Sequence, residues 1–390
     1  MIAFKLAYKN LVGAGLRTLL IVVVLSVAYF LIIFMNGLYQ GWNREARFEM
    51  IAWEVGQGQW WQENYDPYDP VALTDAHATL PAELVQPALA GNVAPVLLTQ
   101  ATLYPEGRMM GIMLKGIDTL QQVIRIPTGQ LKAPGDEIPA LIGGRMAEST
   151  RLSVGDRVVV RWRDIHGTFD ATEILIAGIF STSVPAIDMG QVWIPLDRLQ
   201  EMTGMAGEAT LVVRGNDVSV QEEIAGWEFQ GHDELFAELE EMIRSKSMGG
   251  SLFYLMMLAL ALLAVFDTQV LSIFRRQREI GTYISMGMTR RQVVGLFTVE
   301  GAMHAVLALA VGAIYGIPLL LYVGSRGIGM PEGTDSFGMA AAQRIMPYYS
   351  ATLISGSVLL VMIATTIVSY LPSRKIAKMN PNDAIRGRIQ

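Results

Sequence analysis

Four stretches without a charged residue, 18–43, 247–266, 304–325 and 345–373, constrain this chain more than any other feature. Each is long enough to cross the ~30 Å of a bilayer's hydrocarbon as a helix, which takes roughly 20 residues. Four such runs argue against a soluble fold and predict four membrane spans. A cleaved signal peptide is the competing reading of the first run. Its apolar core exceeds the usual ~7–15 residues and no small-x-small site follows, so it reads as an uncleaved anchor. The composition, 17% charged against 52% hydrophobic, is the opposite of a disordered chain. A net charge of −6 argues against a nucleic-acid partner, and the lack of cysteine removes disulfides, thiol nucleophiles and cysteine-held metal sites.

The basic residues predict the orientation. Lys5, Lys9 and Arg17 precede the first span, Arg275, Arg276, Arg278, Arg290 and Arg291 lie between the second and third, and Arg374, Lys375, Lys378, Arg386 and Arg388 follow the fourth. The only acids within 1–18, 275–300 and 372–390 are Glu279, Glu300 and Asp383. The positive-inside rule places all three segments in the cytoplasm. The expected order is a cytoplasmic N-terminus with span one (1–43), a large extracytoplasmic domain (44–247) and span two (248–274). A cytoplasmic loop (275–292), span three (293–325), a short extracytoplasmic loop (326–346), span four (347–372) and a cytoplasmic tail (373–390) follow.

Residues 44–247 mix alternating apolar stretches with turn residues. Strands are expected at 139–142, 157–162, 172–179, 191–195 and 210–213, and helices at 199–202 and 235–243. Leu235, Phe236, Leu239, Met242 and Ile243 share one helical face, and that helix runs into span two, while 44–50 continues span one with no breaker. The expected fold is an α-helical membrane protein with four transmembrane helices and a large α+β extracytoplasmic domain between spans one and two, carried on two helical stalks.

The loop between spans two and three is the most informative stretch. Ile280, Tyr283 and Ile284 share a helical face, Gly287 is a natural stop, and Thr289 with Gln292 forms a capping box that opens span three. A short separate helix is expected, either lying on the lipid surface or seated in a groove of a cytoplasmic partner.

Three further sets of residues are candidates. Asp267, Glu300 and His304 are ionisable groups inside spans, where a lone carboxylate is costly and finds a partner. Asp267 is expected to be neutral or paired with Glu300 or His304, unless these groups reach water or headgroups independently. Ala308, Gly312 and Gly316 recur every four residues, a ridge suited to close helix packing within the chain or against a second subunit. Trp60, Trp61, Tyr65 and Tyr68 either form a contact surface for lipid or an acyl-bearing cargo, or pack the domain's own core.

Three motifs carry a resemblance. Arg278-Glu279-Ile280-Gly281 with Met286-Gly287-Met288-Thr289-Arg290-Arg291-Gln292 resembles the loop block of the FtsX-like permeases, the membrane subunits of MacB- and LolC/LolE-type ABC transporters. The tail from Pro372 through Arg374, Pro381 and Ala384 to Arg386 is similar to that family's ending. Ile142-Gly143-Gly144-Arg145-Met146-Ala147 with Val154-Gly155-Asp156-Arg157-Val158 resembles a segment of its outer domain. The resemblance implies a dimeric permease, paired with an identical copy or a paralogue. Its loop helix, Glu279, Ile280, Gly281, Tyr283, Ile284 and Gly287, would sit on a dimer of P-loop ATPase subunits, in a bacterial inner membrane. The 390 residues hold no G-x-x-x-x-G-K-[ST] motif, so ATP and Mg are expected on that partner and no cofactor on this chain. This leans toward the LolC/LolE arrangement. Gly37-Leu38-Tyr39-Gln40-Gly41 and 56–70 look LolE-like, which points to lipoproteins as cargo, with a lipoprotein or periplasmic adaptor and membrane lipid as further partners. Two alternatives are an FtsX-like transmitter controlling an extracytoplasmic hydrolase, and an exporter of peptides or small lipophilic molecules. His77, His166, His232 and His304 are isolated, no hydrolase motif occurs, and neither a catalytic residue nor a metal site is expected.

Overall fold

The computed structural model describes residues 15–132, 136–182, 184–216, 218, 220–329 and 344–378. The expectations for Lys5 and Lys9, most of 326–346, and the tail beyond 378 fall outside them. The chain divides into two units, one drawn from Met1–Trp42, Met242–Ile328 and Met346–Gln390, the other from Asn43–Glu241 and Gly329–Ile345. Among the described residues the α-helices of seven residues or more are α1 (Leu16–Met50), α2 (Ala82–Leu89), α3 (Gly144–Thr150), α4 (Leu196–Thr203), α5 (Ala237–Arg275), α6 (Gln277–Ser285), α7 (Arg290–Arg326) and α8 (Ala351–Ser373). Of these, α1, α5, α7 and α8 are long and apolar enough to cross a membrane, and the chain is a membrane protein.

Both stalk sequences are helical. α1 runs through 44–50 without a break, and α5 carries the charged turn around Glu238, Glu240 and Arg244 before its apolar run begins. The helix expected from 235 is split, however. A single turn, His232–Leu235, ends at Phe236, a fully buried ring 5.5 Å from that of His232, and α5 starts one residue later. Burial of Phe236 in the second unit overrides the helical periodicity that runs across it.

The core of the first unit joins all four long helices, through Leu25, Tyr29 and Ile32 of α1, Leu258 and Ala261 of α5, Ala305 and Ala308 of α7, and Val361 of α8. The small-residue ridge of α7 meets α1 of the same chain. A Cβ built at Gly312 would stand 3.5 Å from Ser26, and one at Gly316 3.5 Å from Phe30. The glycines of 37–41 have a related use. A Cβ at Gly37 would overlap the Tyr349 ring, one at Gly41 would overlap the Met346 carbonyl, and Tyr348 N–H donates to Gly37 O at 2.9 Å. Glycine here lets the segment that precedes α8 lie directly on the α1 backbone.

The second unit is α+β. Its strands are β1 (Gln59–Gln62), β2 (Ala78–Thr79), β3 (Val93–Leu103), β4 (Met110–Ile117), β5 (Ile138–Gly143), β6 (Arg157–Arg163), β7 (Phe169–Phe180), β8 (Gln191–Pro195), β9 (Glu208–Ala209), β10 (Leu211–Arg214) and β11 (Trp227–Gln230). Nine of them form one mixed sheet in the order β11-β1-β10-β3-β4-β8-β5-β7-β6. β3 also pairs with β6 through Ala101–Leu103, so six strands close on themselves around a core that includes Leu103, Leu114, Ile142, Val160 and Ile176. The 142–147 and 154–158 motifs build one corner of this ring. Asp188 accepts N–H bonds from Gly144 at 2.8 Å and Arg145 at 3.2 Å, capping α3. Gly155 turns at φ +97°, and Asp156 accepts from Ser153 N at 2.7 Å.

Candidate functional site

The loop between α5 and α7 is a short helix with defined ends. α6 closes in a Schellman arrangement, with Met288 N–H donating to Tyr283 O at 3.0 Å and Gly287 N–H to Ile284 O at 3.1 Å across a Gly287 of φ +96°. The capping box follows at once. Thr289 Oγ1 accepts from Gln292 N at 3.3 Å, and Thr289 N donates to Gln292 Oε1 at 2.8 Å.

The apolar face of α6 turns inward, which corrects the expectation that it seeks a partner. Ile280 is fully buried in a cluster with Ile273, Val293, Phe297 and Ile376, and Tyr283 and Ile284 pack on the same cluster. Gly281 is buried too. The family-like tail explains this, because Ile376, in the turn after α8, supplies burial that the loop sequence alone does not reveal. The outward face carries Arg278, Glu279, Thr282, Ser285 and Met286, of which Met286 is 78% exposed. The hydroxyls of Thr282 and Ser285 are satisfied locally, donating to Arg278 O and Thr282 O at 2.9 Å each. The result is a low polar surface ending in a flexible apolar side chain.

Arg276, at the junction of α5 and α6, was legible only as a topological arginine and proves to be the knot of the site. Its Nη1 donates to both carboxylate oxygens of Glu300, at 3.0 and 2.9 Å, and its Nε donates to Glu279 Oε2 at 2.7 Å. The guanidinium also lies 4.9 Å above the Phe297 ring. Side-chain exposures of 17% for Arg276 and 9% for Glu300 mark a largely buried pair. One side chain thus ties the loop helix to α7.

This geometry sorts the ionisable groups inside the spans. Glu300 is held by Arg276, and buried His304 bonds through Nδ1 with Gly301 O at 3.1 Å. Asp267 stands on an exposed face of α5, whereas Gln269, two residues on and therefore on another side of the helix, is buried. Gln269 comes close to Gly301, where a Cβ would stand 3.0 Å from its amide nitrogen and would overlap Ser369 of α8. The polar seam between α5, α7 and α8 is thus Gln269, Glu300, His304, Ser369 and Thr365, all buried. The missed signal is that uncharged Gln269 and Ser369, like the charged groups, are polar side chains that favour helix–helix contacts within a span.

Of the two readings of the aromatic set, packing in the domain's own core holds for Trp60, Trp61 and Tyr65. Trp60 is fully buried beside Leu84 and Val212, and Trp61 and Tyr65, whose rings meet edge-on at 5.0 Å, pack on a further core of the second unit that includes Val96, Leu98 and Trp193. Burial pushes the Tyr65 phenol up to about 12, with the Glu54 and Asp66 carboxylates adding to it. Strand β1 carries Trp60 and Trp61 into two different cores, Tyr65 follows in the turn after it, and Tyr68, 71% exposed, alone of the four remains a surface residue. Among the described residues no group of acids and histidines could hold a metal.

The FtsX-like permease C-terminal family model matches residues 251–381, from α5 through α8. The macrolide export ATP-binding/permease protein MacB of Escherichia coli is 26% identical over 150 residues, covering 37% of this chain and 21% of that protein. MacB of Bordetella avium is 23% identical over 343 residues, covering 77% and 47%. The lipoprotein-releasing system transmembrane protein LolC of Xylella fastidiosa is 21% identical over 360 residues, covering 80% of this chain and 84% of that protein. The chain therefore spans less than half of these MacB proteins and most of LolC. The solved extracellular domain of the noncanonic ABC-type transporter YknZ from Gram-positive bacteria overlaps 42% of this chain and 83% of its own, at 14% identity and a TM-score of 0.28, too loose a likeness to bear on the fold. Residues 251–381 thus carry an FtsX-like permease C-terminal domain, and the chain is a homologue of proteins named MacB and LolC.

Proposed function

We propose that this chain is the membrane subunit of an ABC transporter of the LolC type. It works with a separate P-loop ATPase in a bacterial inner membrane, and it moves lipoproteins away from that membrane. One observation carries the reading: α6, inside the family-matched region, is locked into its own unit by Arg276 and Ile280 and presents Arg278, Thr282, Ser285 and Met286 outward. A helix anchored on one face and open on the other suits transmission of a partner's movement to α5 and α7. The corrected docking surface is this polar face and Met286. The 84% coverage of LolC, a relative named as a transmembrane protein, supports a separate ATPase. The basic residues around α6 and after α8 support a cytoplasmic position for both, which puts the second unit on the outer side.

Purification from native membranes in mild detergent, followed by mass spectrometry, tests the reading. A P-loop ATPase together with a lipidated protein is expected. Recovery of a cell-wall hydrolase in place of the lipidated protein would replace transport with transmission of force, and loss of the ATPase would overturn both.

A further inference from the structure

The first unit contains an open groove of about 910 Å³ between the start of α7 and the end of α8. Its polarity is graded. Arg291, Arg374 and Lys375 stand at the helix ends. Deeper in, α7 offers the stripe Val294, Gly295, Thr298 and Val299, and α8 offers Tyr370 and Leu371. From Arg291 to Val299 is eight residues along a helix, or roughly 12 Å. Among the described residues that line the groove none is acidic. Among the described residues none of the three cations has a carboxylate partner, and Arg374 lies over the Tyr370 ring at 5.7 Å. Gly295 has open space where its side chain would be. The hydroxyl of Thr298 donates to Val294 O at 2.9 Å, so it is satisfied within α7.

We propose that this groove is a binding site for an anionic phospholipid, with the phosphate held by Arg291, Arg374 and Lys375 and one acyl chain lying along the α7 stripe past Gly295. The charge and the depth gradient select this occupant. A free phosphate would use the cations and leave the apolar wall in contact with nothing of its kind. A second copy meeting this face across a two-fold axis would set three cations against their equivalents. Clustered basic residues between spans are a recognised way of holding acidic headgroups.

The test uses native mass spectrometry of the full chain with equal amounts of dioleoyl phosphatidylglycerol and dioleoyl phosphatidylcholine. The wild type is expected to retain the glycerol lipid roughly tenfold or more over the choline lipid, the order expected of three cations near an anionic headgroup. The variant R291Q/R374Q/K375Q, changed only at exposed positions, should fall to near parity. Gly295→Leu should lower retention with all three cations in place. The proposal is overturned if the wild type shows no preference, if the triple variant keeps it, or if inorganic phosphate displaces the lipid. It is also overturned if a Gly295→Cys chain, otherwise free of cysteine, disulfide-links to a second copy in preference to binding lipid.

Discussion

Replacing Glu300 by glutamine tests the knot that joins the loop helix to α7. The change keeps shape and one acceptor oxygen but removes the charge opposite Arg276, whose Nη1 now reaches both carboxylate oxygens within 3.0 Å. Removing one partner of a fully buried pair costs ~3–5 kcal/mol, whereas the step from a charge-assisted to a neutral hydrogen bond costs ~1–2. Glu279 remains on Arg276 at 2.7 Å as a partly exposed counter-charge, which favours the lower end. We expect a loss of about 2 kcal/mol, corresponding to roughly 4–8 °C if the scaling for ~150–250-residue domains applies. The chain has no cysteine, so a single Val293→Cys, at a fully buried position beside the site, reports opening of this region through a thiol-reactive dye on heating. Glu300→Gln and Arg276→Met should each lower the midpoint, and the double variant E300L/R276M should recover much of the loss, because an apolar pair can replace a buried ion pair. A Glu300→Gln shift below about 1 °C, or a double variant as unstable as the sum of the singles, would refute the reasoning.

Three other outcomes follow from the packing. Gly41→Val places a side chain against the Met346 carbonyl, so the backbone before α8 must move, and a loss of ~1–3 kcal/mol is expected in the same dye assay. Gly301→Ala should destabilise by a similar amount through Ser369, and Ser369→Gly should restore part of it, which a double-mutant cycle measures. Burial pushes the Asp188 carboxyl up, against the opposing pull of the Arg145 and Gly144 N–H groups. A carboxyl whose folded value is raised contributes stability that is fully present below its unfolded value, near ~3.9, and is lost as pH rises through the folded value. The stability of wild type relative to Asp188→Asn should therefore grow as pH falls from 7 toward 4, as followed by tryptophan fluorescence of the second unit.

Much of this architecture was legible in the sequence for physical reasons. A span needs an uncharged run of fixed length, and that requirement is local, so the four long helices follow from counting. Strands β5, β6, β7, β8 and β10 were legible because alternation and turn glycines are local as well. β3 and β4 were not. Val93–Leu103 is buried along nearly all its length and shows no alternation, because it is covered on both faces and borders β10, β4 and β6 in turn. The site was half legible. Periodicity marked Ile280, Tyr283 and Ile284 as one face, yet periodicity cannot say whether a face is covered by the same chain or by another. The answer lay about 90 residues away, in Ile376. Arg276 gave no local signal beyond its charge, and only the need of Glu300 for a cation could have pointed to it.

The central claim, that the outward face of α6 receives an ATPase, is tested most directly by a photo-crosslinking amino acid at Met286 in native membranes. The comparison position is Leu89, 70% exposed in the second unit. The account predicts an adduct between residue 286 and a P-loop ATPase, identified by mass spectrometry, and none from residue 89. An ATPase adduct from residue 89, or only lipid adducts from residue 286, would contradict it.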